Sequence, residues 1–137
     1  MAVFEIEIAG PPKAQKRHKF GRGYVYDPSK LDKKKVIPIV QSVLKDYITA
    51  HDCVHISFSF YMPIPKSWPI KKKVLLQDET VDHIKTPDID NMIKFYMDVL
   101  PFNDKQVSRI KGAFKVYSPE PRVHLVLEAY GQLESVE

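Results

Sequence analysis

Apolar and polar residues alternate from Val3 to Ile8, with Phe4, Ile6 and Ile8 on one side and Glu5 and Glu7 on the other. Successive side chains of a strand point to opposite faces, so this period of two predicts a half-buried strand. Ala9-Gly10-Pro11-Pro12 ends it, and a basic loop follows through Gly21 and Gly23. Asp27-Pro28 reads as an N-cap with proline at the first helical position. The helix it opens is expected to reach about Ala50, with Ile39, Val40, Val43, Leu44 and Tyr47 inward and Pro38 kinking or splitting it.

Alternation returns from Cys53 to Met62, with Val54, Ile56, Phe58 and Phe60 opposite His55, Ser57 and Ser59. Pro63, Pro65 and Pro69 terminate this second strand, and Ser67 is placed to cap a short helix through the lysine run toward Leu76. Residues 77 to 87 carry no period and read as a loop. A helix follows from Ile89 to about Leu100, then a strand near Gln106 to Tyr117 and a turn at Ser118-Pro119-Glu120-Pro121. A last strand runs from Arg122 to Tyr130, and the final pair is expected to form a hairpin. The order β-α-β-α-β-β predicts an α+β fold: one domain over residues 1–137, a small mixed sheet with two main helices packed on it. No repeat or linker marks a second domain.

Composition changes this picture little. Hydrophobic residues at 44% and charged residues at 28% suit an ordinary soluble domain, and no apolar run approaches the ~20 residues needed to span a bilayer. The first residues lack a signal-peptide layout, and the lone Cys53 excludes an internal disulfide and fits a reducing, cytoplasmic compartment. Charge is more informative. The segment Lys13–Lys35 holds nine basic residues against two acids, Asp27 and Asp32. A second cluster comprises Lys66, Lys71, Lys72 and Lys73. Segregated positive charge suits a polyanion, because neutralising phosphates releases condensed counterions. Lys13, Lys16, Arg17, Arg22, Lys71 and Lys72 are the expected nucleic-acid contacts. The plain alternative is a solvated lysine-rich face.

The segment from Pro87 to Asp98 is the densest in candidate chemistry. Ile93, Tyr96, Met97 and Leu100 form one apolar stripe, and Met92, Phe95 and Val99 a second beside it. Only a narrow polar strip is left, carrying Asp90, Lys94 and Asp98 at successive steps of four. Charges on a helix so nearly apolar are costly unless paired, metal-bound or facing a cleft. Asp88 and Asp90, two apart, would project to one side of an extended segment and offer oxygen ligands to a hard cation such as Mg²⁺. Lys94 is placed to oppose a phosphate. The structural alternative makes Asp90 an N-cap, Asp88 a partner of the helix dipole, and Lys94 and Asp98 an ordinary ion pair. Asn103-Asp104 supplies a further acid just beyond the helix, positioned to return toward Asp88 and Asp90 if the next strand runs back along it. The histidines show no ligand spacing; His83 reads as an exposed loop residue, Trp68 as packed on the domain surface, and Tyr24 and Tyr26 as either DNA contacts or cover for the first strand.

Pro87-Asp88-Ile89-Asp90-Asn91-x-x-Lys94, then Asp98, then Asn103-Asp104-Lys105-Gln106-Val107, resembles the core signature of the RusA-type Holliday junction resolvases. The opening strand, Gly10-Pro11-Pro12-Lys13, Arg17 and the long helix resemble the start of that family. Met62-Pro63-Ile64-Pro65-Lys66-Ser67-Trp68 is similar to its phage and prophage members. The resemblance implies a Mg²⁺-dependent endonuclease, with Mn²⁺ able to substitute, acting as a homodimer on four-way DNA junctions in recombination and repair, in a bacterial or phage-infected cell. It implies Asp88, Asp90 and Asp104 as metal-binding catalytic acids and Lys94 as the essential lysine, with no small-molecule cofactor and no membrane partner. Asn103 departs from the family pattern, which often has two adjacent acids there. The competing readings are a non-catalytic branched-DNA-binding protein and a nuclease for other branched forms.

Overall fold

The computed structural model describes residues 1–131 of the chain. Four strands build the main sheet: β1 (Ala2–Ala9), β4 (Asp52–Pro63), β5 (Val107–Ser118) and β6 (Arg122–Gly131). Between β1 and β4 lie a two-stranded ribbon, β2 (Lys19–Gly21) and β3 (Tyr24–Tyr26), and the helix α1 (Lys30–Leu44). The short α2 (Ile70–Val74), then α3 (Ile89–Asp98) and a 3-10 turn (Asp104–Gln106) connect β4 to β5. The class is α+β, as the periodicity predicts. No described helix is long and apolar enough to cross a membrane.

The sheet order is β1-β6-β4-β5. β6 runs antiparallel to both β1 and β4, whereas β4 and β5 are parallel, with α3 in the crossover. The expected hairpin of the last two strands is therefore absent, because β4 lies between them. Pro63 ends β4, and the chain passes over that end: Ser118 of β5 pairs with Pro63, and Arg122 of β6 with Tyr61. Two strand spacings amount to ~10 Å, a gap that the turn residues 119–121 span easily.

The alternation sorts the sheet into two faces. Ile6, Leu125, Phe58 and their same-face neighbours form one buried cluster with Val36, Val40 and Leu44 of α1 and with Met92, Phe95, Tyr96 and Val99 of α3. Both long helices thus cover one face. The other face carries Glu5, Glu7, Ser57, Ser59, Tyr61, Arg122 and His124, joined in part by an Arg122–Glu7 ion pair at 3.1 Å. Phe58, Phe60, Tyr96 and Phe95 form a chain of ring contacts at the centre, stacked, tilted and edge-on in turn, and truncating one of the phenylalanines to alanine would cost about 3–5 kcal/mol.

Several local expectations change. α1 begins after Ser29, two residues later than expected, because Asp27 Oδ1 accepts the Ser29 N–H at 2.9 Å and folds the chain into a turn first. It ends at Leu44, where Lys45 adopts φ 46°, so Tyr47 leaves the helix and is 57% exposed, stacked on Phe4. Ile39 is exposed as well. Pro38 lies inside α1 without dividing it. α2 starts after Pro69 rather than Ser67. His83 is only 7% exposed, with its ring 4.8 Å from Tyr117; the bridge between Asp82 and Val116 folds its loop onto β5.

Candidate active site

α3 buries Met92, Phe95 and Tyr96 and exposes Asp90, Lys94 and Asp98 on its polar strip. Asp88 is the N-cap residue, in extended conformation, and its carboxylate makes no capping hydrogen bond. Asp90 lies within the first helical turn and accepts only the N–H of its neighbour Asn91, at 3.0 Å. The two acids therefore flank the helix start, one outside and one inside, and the strand-like side-by-side projection expected of them does not hold. Both sit at the positive end of the helix dipole, which stabilises carboxylates and phosphates alike.

Beside the second half of α3 lies an open cleft of about 370 Å³, lined by Gln15, His18, Ile93, Lys94, Met97, Asp98 and Asp104. Asp104 opens the 3-10 turn before β5, where the Asn103 side chain accepts the Lys105 N–H and fixes the bend. The structure thus brings Asp104 to Lys94 and Asp98, while Asp88 and Asp90 stand outside the cleft. One helical turn, ~5.4 Å of axial rise, separates Asp90 from Lys94. Asp88, Lys94 and Asp104 make no hydrogen bond or ion pair through their side chains among the described residues. The carboxylates are hard oxygen donors of the kind Mg²⁺ takes. No three His, Cys, Asp or Glu side chains among the described residues stand close enough to hold an ion by themselves. In kind the donors fit a cation that keeps waters and phosphate oxygens; they do not form a closed protein cage.

Gln15 and His18 had no sequence signal pointing here, since more than seventy residues separate them from α3. A polar network places Gln15, and with it the segment that carries His18. Gln15 N–H donates to Asn91 O at 2.9 Å, and Lys13 N–H to the Tyr96 hydroxyl at 2.9 Å. Gln15 Nε2 donates to Asp27 Oδ1 at 2.8 Å, and Lys16 N–H to Ser29 Oγ at 3.0 Å. Lys33 of α1 joins Asp27 at 2.6 Å to Asp98 at 2.9 Å. The Lys33 hydrogen bond, the largest influence, holds the Asp27 carboxyl down at about 2. Burial pulls the Lys33 ammonium down, but hydrogen bonds to Asp27 and Asp98 outweigh it and raise it. Burial pushes the Tyr96 hydroxyl up to about 12, so it remains neutral and able to accept from Lys13.

The other expected nucleic-acid contacts divide. Lys13, Lys16, Arg17 and Arg22 belong to the segment rooted beside the cleft. Lys71 and Lys72 lie on α2, outside the cleft lining, and Lys72 holds its ammonium 3.6 Å from the Trp68 ring centre. Trp68 packs against Tyr117, with ring centres 5.3 Å apart.

Residues 9–128 match the family described as Endodeoxyribonuclease RusA. The chain belongs to the RusA endodeoxyribonuclease family. The match spans every element from the end of β1 to most of β6, and so includes the cleft, α3 and the basic segment. No curated protein sequence matches the chain.

Proposed function

We propose that this RusA-family chain is a Mg²⁺-dependent endonuclease that resolves four-way DNA junctions by paired, symmetric phosphodiester hydrolysis, working as a homodimer. The observation that carries the reading is the strip of α3: acids and a lysine, without ion-pair partners among the described residues at Asp88, Asp90 and Lys94, on a helix whose opposite side packs into the core. Exposed charges in such a position contribute little to stability, so they are available to a cation and a phosphate.

Asp88 and Asp90 would hold the cation, with Asp104 joining from the cleft side as DNA brings its phosphate in. When bound, the cation supplies an activated water and charge neutralisation at the leaving oxygen. Lys94 opposes the negative charge that grows on the phosphate in the transition state. Lys13, Lys16, Arg17 and Arg22 grip neighbouring phosphates and set the register of the strand. A two-fold pair of copies presents two equivalent sites to two equivalent strands.

The test incubates the protein with a synthetic four-way junction and a matching linear duplex, with and without Mg²⁺, alongside Asp90→Asn. Paired nicks in the junction only, dependent on the metal and lost in the variant while junction binding survives, are expected. Tight junction binding with no cutting in Mg²⁺ or Mn²⁺ would leave the acids only their favourable place at the positive end of the helix dipole. Unpaired nicks, or preference for flaps, would assign the same site to other branched DNA.

A further inference from the structure

The β2–β3 ribbon pairs Lys19 with Tyr26, Phe20 with Val25 and Gly21 with Tyr24. Opposite residues of an antiparallel pair share a face, so Phe20 and Val25 form one apolar pair at the middle of the ribbon, 85% and 56% exposed. On the opposite face the Tyr24 ring lies over Gly21, where a Cβ would meet it at 2.7 Å, and also neighbours Tyr26. Those tyrosines line a groove against the start of α1, together with His18, Lys30, Leu31 and part of Val25. Among the described residues Phe20 has no aromatic neighbour and is 85% exposed.

An isolated exposed phenylalanine is ordinary, but this one stands in a particular setting. From Lys13 to Tyr26 the chain carries Lys13, Lys16, Arg17, Lys19 and Arg22 and not one acid. Basic groups that track a backbone, interleaved with an exposed ring, are what stacked recognition of unpaired bases uses. The ribbon's root is tied beside the cleft through Gln15, Lys16 and Asp27, and His18 lines both the cleft and the ribbon's groove. The Phe20–Val25 pair stands two strand residues, ~7 Å, from Asp27 at that root, within reach of the nucleotides next to a phosphate held at α3.

We propose that Phe20 is a stacking wedge that takes an exposed base face at the branch point and so favours branched over linear DNA. In a continuous duplex every base is stacked on both sides, and inserting a ring requires unstacking a step. At a branch two strands leave the stack and the step between arms lacks a continuous backbone, so opening it for the ring costs less than in a duplex. Val25 stands opposite Phe20 on the partner strand, and Lys19 and Arg22 neutralise the phosphates flanking it. The inference deepens the endonuclease reading and rests on it.

The experiment measures binding of wild type, Phe20→Ala and Phe20→Trp to a four-way junction carrying 2-aminopurine at the branch and to the matching linear duplex, in Ca²⁺ to prevent cutting. Phe20→Ala is expected to lose roughly 10- to 100-fold in junction affinity, with duplex affinity and salt dependence unchanged and the branch-point fluorescence change abolished. Phe20→Trp is expected to restore both. Unaltered junction affinity and fluorescence in Phe20→Ala, beside a wild type that binds and cuts the junction, would overturn the wedge alone. A wild type without junction preference would overturn the endonuclease reading and the wedge with it. If Phe20→Ala instead turns a dimer into a monomer in sedimentation and keeps its junction preference, the ring belongs to a contact between copies, and the wedge is overturned.

Discussion

Lys33, on the first long helix, reaches Asp98 at the end of α3 with 2.9 Å between nitrogen and oxygen, although 65 residues separate them in the chain. Its other bond goes to Asp27 at 2.6 Å, at the root of the basic segment. One ammonium therefore fastens three elements around the cleft. The Lys33 and Asp27 side chains are 11% and 19% exposed, while Asp98 is over half exposed, so the Asp27 bond carries most of the energy. Lys33→Met is expected to cost about 1–3 kcal/mol in urea unfolding. Combined with Asp27→Asn it should cost less than the sum of the two single changes.

The same pair gives the pH dependence its sign. Asp27 is depressed from 3.8 to about 2 in the fold. Its stabilising contribution is therefore complete above the unfolded value and is lost as pH falls from about 3.8 through about 2. Acid unfolding of Asp27→Asn should be shallower across that window than that of wild type. Curves of equal slope there would show that the depressed value is not maintained in solution.

Lys94 should behave in the opposite way to Lys33. Its side chain is exposed and makes no ion pair among the described residues, so Lys94→Ala should leave stability within about 0.5 kcal/mol of wild type. Loss of a charge that opposes the transition-state phosphate should lower single-turnover cutting by about 10²–10³-fold. A thermal melt beside a single-turnover assay separates the two effects.

Basic residues should differ by where they are held. Lys16→Ala and Arg17→Ala are expected each to reduce the slope of log affinity against log salt by about 1, as phosphate contacts do. Lys72→Ala should leave the slope unchanged, since its ammonium is already placed over Trp68, and should cost about 0.5–1 kcal/mol in stability instead. Titrations of junction binding at several salt concentrations check both.

Tyr96→Phe removes the acceptor of the Lys13 N–H while leaving the buried ring in place. The expected cost is about 0.5–1.5 kcal/mol. Amide exchange should quicken at Lys13 before it quickens in the sheet.

β1, β4 and β6 were legible in the sequence because each buries one face and exposes the other, so alternation marks them. α3 was legible for the same reason at helical period, and with it the acids on its polar strip. The ribbon was not: Lys19–Gly21 and Tyr24–Tyr26 are three residues each and bury neither face, so no period forms. The end of α1 was overrun because Tyr47 continues the apolar spacing past Lys45, whose positive φ no hydropathy pattern signals. Strand pairing was misread because Ser118-Pro119-Glu120-Pro121 looks like a hairpin turn, and nothing local reveals that β4 stands between the strands it joins. In the site, Asp88, Asp90, Lys94 and Asp104 could be named from a local motif. Gln15, His18 and Lys33 could not, because only the folded chain brings them to α3.

The burial of α3 bears on more than stability. A helix anchored by the fully buried Phe95, Tyr96 and Met92 cannot turn or slide without disturbing the close-packed interior. The charged strip on its remaining side inherits that stiffness, so the spacing of Asp90 and Lys94 is calibrated by residues that never meet DNA. Adaptation of this site to a new substrate would accordingly be easier in the ribbon and the loops than along the helix, where any change of aim has to be purchased by repacking the interior.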